Sequence, residues 1–386
     1  MLSSLRIGID GWPLGAKPKG VTKYISHLCT ALDTLLPEAE FFVYAGKPIT
    51  LPAASSRWHL RIDRSFAGRR LPNTFWLTLA AGFASRRDNL DVFWGGNALL
   101  PLLGLRTRAV LTVHDLVYRI APETCTLPGL WSSRLLFCRS LARADAVLAN
   151  SHGTARRLEE TFGRTVTAIV RPGLSSLFRP ASEVQIDTTT RRLGLSRPYL
   201  LSIATREPRK NLSLLIRTFL RMRDQGLTAA HKLVLAGDRG WKGGEISTAI
   251  AEGGDSVRDI GYVPEDQLAA LYSGADVFVF PSKYEGFGMP VLEARASGTR
   301  VVTTDSPELR EAGGEDAIYV TPTEEDLRAG ILTALASPPP KPLAPESHSW
   351  ARSASAMAEV FRHLACSRRG TNDETLRDFQ PSRESN

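Results

Sequence analysis

Short apolar runs rich in valine, isoleucine and aromatic residues recur along this chain, and between them apolar positions return at the spacing of an amphipathic helix. In the first half, Leu5–Asp10, Phe41–Tyr44, Val92–Trp94, Ala109–His114, Ala146–Ala149 and Thr167–Val170 read as strands. Val21–Leu36 and Trp131–Ala142 read as helices, and Ser151 is placed to cap a third that runs through Arg156, Arg157 and Glu160. Residues 181–197 are polar and lose the pattern, which predicts a linker between two domains, 1–180 and 198–348. The alternation then restarts with strands at Tyr199–Ala204, Lys232–Ala236, Asp259–Tyr262, Val277–Phe280, Arg300–Thr303 and Ile318–Val320, and helices at Leu212–Arg223, Glu265–Ser273 and Glu324–Ala336. Such alternation predicts an α/β fold with a doubly wound parallel sheet in each domain. Ser337–Pro345 is a stiff, proline-rich connector, residues 349–365 predict one more helix that packs back on the first domain, and 366–386 a polar, disordered tail.

Length and composition agree. A chain of 386 residues, 43% hydrophobic and 23% charged, has the make-up of a folded two-domain protein. No apolar run approaches the roughly 18 residues of a membrane span. The first ten residues read as a strand rather than a secretory signal, so a cytoplasmic setting is expected. Cys29, Cys125, Cys138 and Cys366 show neither a C-x-x-C spacing nor a histidine pair, which argues against zinc, redox or disulfide frameworks. Charge adds an asymmetry to the net +8: residues 1–180 hold 23 Lys and Arg against 12 Asp and Glu, and the remainder 25 against 28. The first half therefore faces something anionic, with nucleic acid, phospholipid and a phosphorylated substrate as the classes that fit.

Ligands of open α/β sheets sit at the carboxyl ends of the strands, so the loops there hold the candidate chemistry. Pro281–Met289 (PSKYEGFGM) follows the apolar run VFVF and leads into Pro290, a residue suited to the first turn of a helix. Gly286 and Gly288 permit close backbone approach, and the N–H groups of that helix would face an anion. Glu285 and Glu293 bracket the turn, where both can accept hydrogen bonds from the hydroxyls of a sugar or ribose. Taken singly, each is better explained as a carboxylate complementing the helix dipole. Thr205–Asn211 (TREPRKN) is a second such loop. Arg209 and Lys210 stand at a helix start, where the dipole disfavours cations unless an anion is bound, although a basic pair alone is also what a solvated loop shows. Basic pair, glycine loop and paired glutamates together describe a pocket for a diphosphate-linked sugar.

With Arg209-Lys210-Asn211 upstream and the block Glu285 to Glu293 (EGFGMPVLE) downstream, the chain resembles the family 4 retaining glycosyltransferases. The resemblance takes in RIGID at 6–10, His114-Asp115, ARADAVLANS at 142–151, LAGDRGW at 235–241, GYVPE at 261–265 and Trp350. It implies the GT-B fold, two Rossmann-like domains facing each other across a cleft, with a nucleotide-sugar donor bound mainly by the second and an acceptor by the first. It assigns Arg209 and Lys210 to the donor diphosphate, Glu293 to the ribose hydroxyls and Glu285 to the transferred sugar. Thr205, Gly286 and the backbone amides of Phe287, Gly288, Met289, Val291 and Leu292 would line sugar and phosphate. His114 ends its strand, where the family places a histidine near sugar and acceptor; by pattern alone it could equally be a packing residue, with Asp115 capping the next helix. Gly20 matches one of a pair of family glycines at the donor phosphate, and Lys19 replaces the other.

No Asp-x-Asp motif occurs, and the basic pair supplies the charge that a metal would otherwise bring, so metal independence is expected, with no cofactor beyond the donor. Overall similarity leans toward mannosyltransferases using GDP-mannose, with a glycan or polyprenol-linked acceptor in the assembly of a bacterial surface polysaccharide such as lipopolysaccharide. Two arginine pairs, Arg69-Arg70 and Arg86-Arg87, enclose the apolar stretch Phe75–Phe83. That pattern suits either a core helix with basic ends or an interfacial one whose Phe75, Trp76, Leu77 and Leu79 turn to acyl chains, and lipid-linked acceptors favour peripheral docking on an anionic membrane. Two other readings are a catalytically silent protein on the same fold and a basic nucleic-acid-binding protein; the second lacks any RNA or DNA module, so no nucleic acid is expected as partner.

Overall fold

The computed structural model describes residues 4–15, 20–241, 243–344 and 347–369. The chain divides into two compact units, the first made of residues up to Leu116, Pro128–Gly173 and the stretch from Ser349 onward, the second of Val117–Leu127 and Leu174–His348. Lys19 and residues 370–386 lie outside the described residues.

The first unit is built on a seven-stranded parallel sheet in the order β3-β2-β1-β4-β5-β6-β7. Its strands are β1 (Arg6–Asp10), β2 (Glu40–Ala45), β3 (Trp58–Ile62), β4 (Val92–Gly95), β5 (Arg108–Val113), β6 (Ala146–Ala149) and β7 (Ala168–Ile169). Helices cover both faces, which is why β4 and β6 are buried at every position and read as continuous apolar runs. β3 has no such signature: its pattern WHLRI is only partly buried, as it is one of the two edge strands and pairs with β2 alone. Ser151 caps the helix His152–Phe162, its hydroxyl accepting from the Thr154 amide at 2.9 Å. The helix Trp350–Arg369 runs beyond the expected 365, and Ala354, Met357, Ala358, Phe361 and Leu364 enter the core of this unit beside Ile25, Leu28 and Trp94.

The stretch enclosed by the arginine pairs divides. Trp76 and Leu77 belong to the core, and the Trp76 indole donates to Asp63 at 2.8 Å, so these two cannot reach a membrane; Phe75 and Leu79 are exposed. The cause is helical periodicity, which turns consecutive residues to different faces.

The second unit holds a six-stranded parallel sheet, β10-β9-β8-β11-β12-β13. Its strands are β8 (Tyr199–Ile203), β9 (Lys232–Ala236), β10 (Val257–Gly261), β11 (Val277–Phe280), β12 (Val301–Thr304) and β13 (Ile318–Val320). Residues 181–197 are not a linker. They hold the helix Glu183–Arg192, closed by a capping box between Ser182 and Gln185. Its inward face is only Ile186, Thr189 and Thr190, too little apolar surface to show a helical period. In both sheets the strand order reverses beside the first strand, between β1 and β4 and between β8 and β11. That reversal parts the loops on either side and opens a crevice at the strands' carboxyl ends.

Candidate functional site

The two loops singled out in the second unit follow β8 and β11, the strands that flank its switch point. After β8 the chain makes a 3-10 turn, Pro208–Lys210, and enters the helix Leu212–Asp224 through Asn211, whose φ of 55° lies in the left-handed region. Asparagine tolerates that conformation better than most residues, a local reason for its place after the basic pair. After β11 the loop closes on Gly288 at φ 109°, and a Cβ there would stand 2.7 Å from the Leu309 side chain. Only glycine fits, and the helix Met289–Ala296 starts directly behind it.

Arg209, Lys210 and Glu285 meet between these loops. Lys210 Nζ donates to Glu285 Oε1 at 2.5 Å, and Arg209 Nη1 donates to Glu285 Oε2 at 2.9 Å and to the Tyr284 carbonyl at 2.8 Å. The other edge of the guanidinium is held by Glu207 Oε1, at 2.7 Å from Nη2 and 3.1 Å from Nε. Ser282 Oγ donates to Glu285 Oε1 at 2.5 Å, and the Arg209 carbonyl accepts from the Lys283 amide at 2.8 Å, so the two loops are tied together by backbone as well as side chains. Lys210 also lies over the Phe280 ring, 5.1 Å from its centre.

Burial alone would raise the Glu285 carboxyl, but the charges of Arg209 and Lys210 and the hydrogen bonds from Lys210 and Ser282 hold it down at about 2. Burial pulls the Lys210 amine below its ordinary value against the opposing attraction of Glu285. The result is two cations and two carboxylates, locked in position and almost dry, with formal charges that cancel.

The remaining candidates on this unit fall into two groups. Glu293 is buried in the helix behind Gly288 and accepts at Oε2 from the Tyr272 hydroxyl at 2.9 Å. Thr205 lies in the β8 loop, partly exposed, and Phe287 packs its ring edgewise on His348. Gly286 is buried and Met289 half-buried at the loop end. Val291 and Leu292 differ from the expectation: their side chains are core, and their amides donate to the Gly288 carbonyl at 2.9 and 3.3 Å. Those two amides are occupied by the first turn of their own helix, a consequence of the glycine cap.

Sequence reasoning missed Glu207, Ser282 and Tyr272, which orient Arg209, Glu285 and Glu293. Glu207 and Ser282 sit inside the loops already singled out. Tyr272 is an aromatic on a helix outside them, and nothing in its sequence neighbourhood marks it.

His114 belongs to the first unit. It follows β5, is buried, and meets the Tyr24 ring edge-on at 4.8 Å. Its Nε2 stands 2.7 Å from the Gly96 carbonyl; a carbonyl can only accept, so Nε2 carries the proton and Nδ1 the lone pair. Burial lowers its pKa against the pull of that hydrogen bond, which keeps the imidazole neutral at neutral pH. Gly20 opens the helix Gly20–Leu35, and no described atom lies within 4 Å of where its Cβ would stand, so protein packing gives no reason for a glycine there.

Two parallel-sheet α/β units with switch-point loops of this kind define the GT-B class. A solved structure of HepE from Anabaena in complex with UDP and glucose superposes with a TM-score of 0.65 at 15% identity, over 97% of this chain and 100% of that one. Residues 187–355 match the family model for glycosyl transferases group 1, and residues 18–175 match that for glycosyltransferase family 4. The chain belongs to the group 1, family 4-like glycosyltransferases. It is 31% identical over 256 residues to the O-antigen chain mannosyltransferase B of Escherichia coli, a match that takes in 64% of this chain and 66% of the relative, just under two thirds of that protein's length. It is 29% identical over 294 residues to an MMP alpha-(1->4)-mannosyltransferase of Mycolicibacterium hassiacum, over 71% of this chain and 68% of that one. Among the described residues no helix is long and apolar enough to cross a membrane.

Proposed function

We propose that this chain is a retaining, metal-independent mannosyltransferase that moves mannose from GDP-mannose to a glycan or polyprenol-linked acceptor, on the cytoplasmic side, in the assembly of a bacterial surface polysaccharide. The observation that carries the reading is the Arg209–Lys210–Glu285 cluster at the switch point. Both cations are held in place by acceptors of the two loops: Lys210 has three donors and gives one to Glu285, and Arg209 directs its Nε, Nη1 and Nη2 at Glu207, Tyr284 and Glu285. A diphosphate therefore meets cations already in place, and as the sugar–oxygen bond breaks and its electron pair stays with the departing diphosphate, the growing charge falls beside them. This pair does the work that a divalent ion would otherwise do.

Glu285, ionised by the same pair, turns a carboxylate toward the hydroxyls of the transferred sugar, and Glu293, steadied by Tyr272, takes the ribose. The neutral His114 is the group for positioning or proton handling on the acceptor side. Mannose is supported by the names of the two relatives, both mannosyltransferases.

A thermal-shift panel of GDP, UDP, ADP and their sugar conjugates tests the donor. At a ligand concentration 100 times its dissociation constant, the cognate nucleotide adds about 2.7 kcal/mol. GDP and GDP-mannose are expected to shift the protein with EDTA present. A shift by UDP alone overturns the mannose reading, and no shift by any nucleotide overturns the transferase reading. Retention is read from the anomeric configuration of the first product by NMR. Tyr272→Phe is expected to raise the donor KM about three- to tenfold with kcat unchanged, because it removes one hydrogen bond from a buried carboxylate. An unchanged KM would separate Glu293 from the donor.

A further inference from the structure

The first unit carries an open pocket of about 320 Å³, away from the strand ends where donors are handled. It is lined by Leu105, Arg106, Thr107, Arg108, Arg143 and Asp145, at the amino-terminal end of β5. Asp145 is fully engaged: it accepts from Arg108 at 2.8 Å, Arg143 at 3.3 Å and the Ala109 amide at 2.7 Å. Arg106 is exposed and has no carboxylate partner among the described residues. Three guanidiniums against one carboxylate leave two positive charges facing an open cavity, the charge of a site for a phosphate group.

Beside the pocket lies an apolar stripe. Phe75, Leu79 and Phe83 recur every four residues and are 42%, 42% and 50% exposed, and Leu103 is 50% exposed. The segment bearing Leu103 is fastened to the stripe, since the Thr78 carbonyl accepts from the Leu102 amide at 2.8 Å and Arg86 Nε donates to the Gly104 carbonyl at 2.8 Å. It leads within three residues to Arg106. Arg86 lies over the Phe83 ring at 4.5 Å, keeping its charge at the edge of the apolar surface. The helix Leu127–Arg143, whose last residue lines the pocket, presents Trp131 and Leu135 to solvent beside Arg134 and Arg139, and it holds no acidic residue. A soluble phosphate compound would fill the pocket and leave this apolar surface bare.

We infer that the Arg106–Arg108–Arg143 pocket binds the phosphate of an anionic lipid headgroup, with Phe75, Leu79, Phe83 and Leu103 entering the bilayer beside it. The headgroup meets Arg106 beside two guanidiniums, those of Arg108 and Arg143, already fixed by Asp145, and the acyl region meets the stripe, so the first unit sits on the membrane at a defined place. The inference does not depend on which donor the second unit serves or which acceptor the first.

Co-sedimentation of the full chain with vesicles of phosphatidylcholine and phosphatidylglycerol in equal parts, and with phosphatidylcholine alone, tests it. Binding to the mixed vesicles and not to the neutral ones is expected. Arg106→Glu should weaken binding about 30-fold, at about fivefold per charge unit. Leu79→Ser with Phe83→Ser should weaken it at least about tenfold. Both variants should keep the wild-type thermal midpoint and nucleotide binding, because Arg106, Leu79 and Phe83 are exposed. Equal partition onto neutral vesicles, no partition at all, or a full-strength Arg106→Glu variant overturns the inference. So does a thermal shift by inorganic phosphate that is lost in Arg106→Glu while vesicles fail to bind, since that result marks a site for a soluble ligand.

Discussion

Replacing Arg209 and Lys210 together by alanine is expected to lower kcat/KM for the donor by about 10³-fold or more and to abolish the thermal shift by its nucleotide. The two cations are the groups at the switch point able to take up the charge of a leaving diphosphate, and nothing else in the cluster can replace them: Glu207, Glu285 and the Tyr284 carbonyl are all acceptors. The double variant also frees Glu285 and Glu207 as buried carboxylates without cations, which makes a bound phosphate still less favourable. Single variants should lose less than half of the combined effect each, because the remaining cation shifts to share the diphosphate. Steady-state kinetics beside the thermal shift separates the two contributions. A double variant that still turns over donor at the wild-type rate would remove the cluster from the chemistry.

Glu285→Gln carries the second large effect, and its readout without ligand is pH. Glu285 is held at about 2 in the folded chain, below its ordinary value of 4.5. A carboxyl lowered on folding contributes stability that is complete above its unfolded pKa and is lost as pH falls toward the folded one. The wild type should therefore lose about 3 kcal/mol at this site between pH 4.5 and 2. Glu285→Gln should be destabilised by a similar amount at pH 7, with two buried cations left against Glu207 alone, and should lack this part of the acid slope. Urea denaturation across that range measures both. With Glu285 proposed as the carboxylate that meets the sugar, donor turnover in the variant should fall, while nucleotide binding survives because Arg209 and Lys210 remain. If stability at pH 7 is unchanged, the three side chains are not coupled as drawn.

The parallel strands were legible because helices cover both faces of each sheet, so strands such as Val277–Phe280 and Ala146–Ala149 are apolar at every position. One edge strand was not: Trp58–Ile62 is only partly buried and its WHLRI pattern holds no continuous apolar run, whereas the other edge strands kept enough apolar residues to be read. The helix Glu183–Arg192 escaped notice for a related reason, its buried face being mostly threonine, although its capping box was present in the letters. At the site, Arg209, Lys210, Glu285 and Glu293 could be found because unusual charge stood at loop ends where helices begin. Tyr272 could not, since its role arises from a contact with Glu293, 21 residues away, rather than from spacing; Glu207 stood two residues from Arg209 inside the loop already singled out, and only the fold shows which edge of the guanidinium it holds. Val291 and Leu292 illustrate the converse: their place in the matched block is explained by side chains that hold that block in the core.

The helix Trp350–Arg369 has a consequence for the order in which the chain acquires its structure. Ala354, Met357, Phe361 and Leu364 complete the core of the unit that begins at the amino terminus, yet they leave the ribosome after every residue of the second unit. During synthesis the later-encoded unit can close its core first, from Leu174 to His348 with Val117–Leu127, while the earlier one waits with Ile25, Leu28 and Trp94 uncovered. The nascent chain is thus most exposed to aggregation and chaperone capture over the span between synthesis of the seventh strand and emergence of the last helix, and a ribosome stalled anywhere in that span holds a first unit without its final layer.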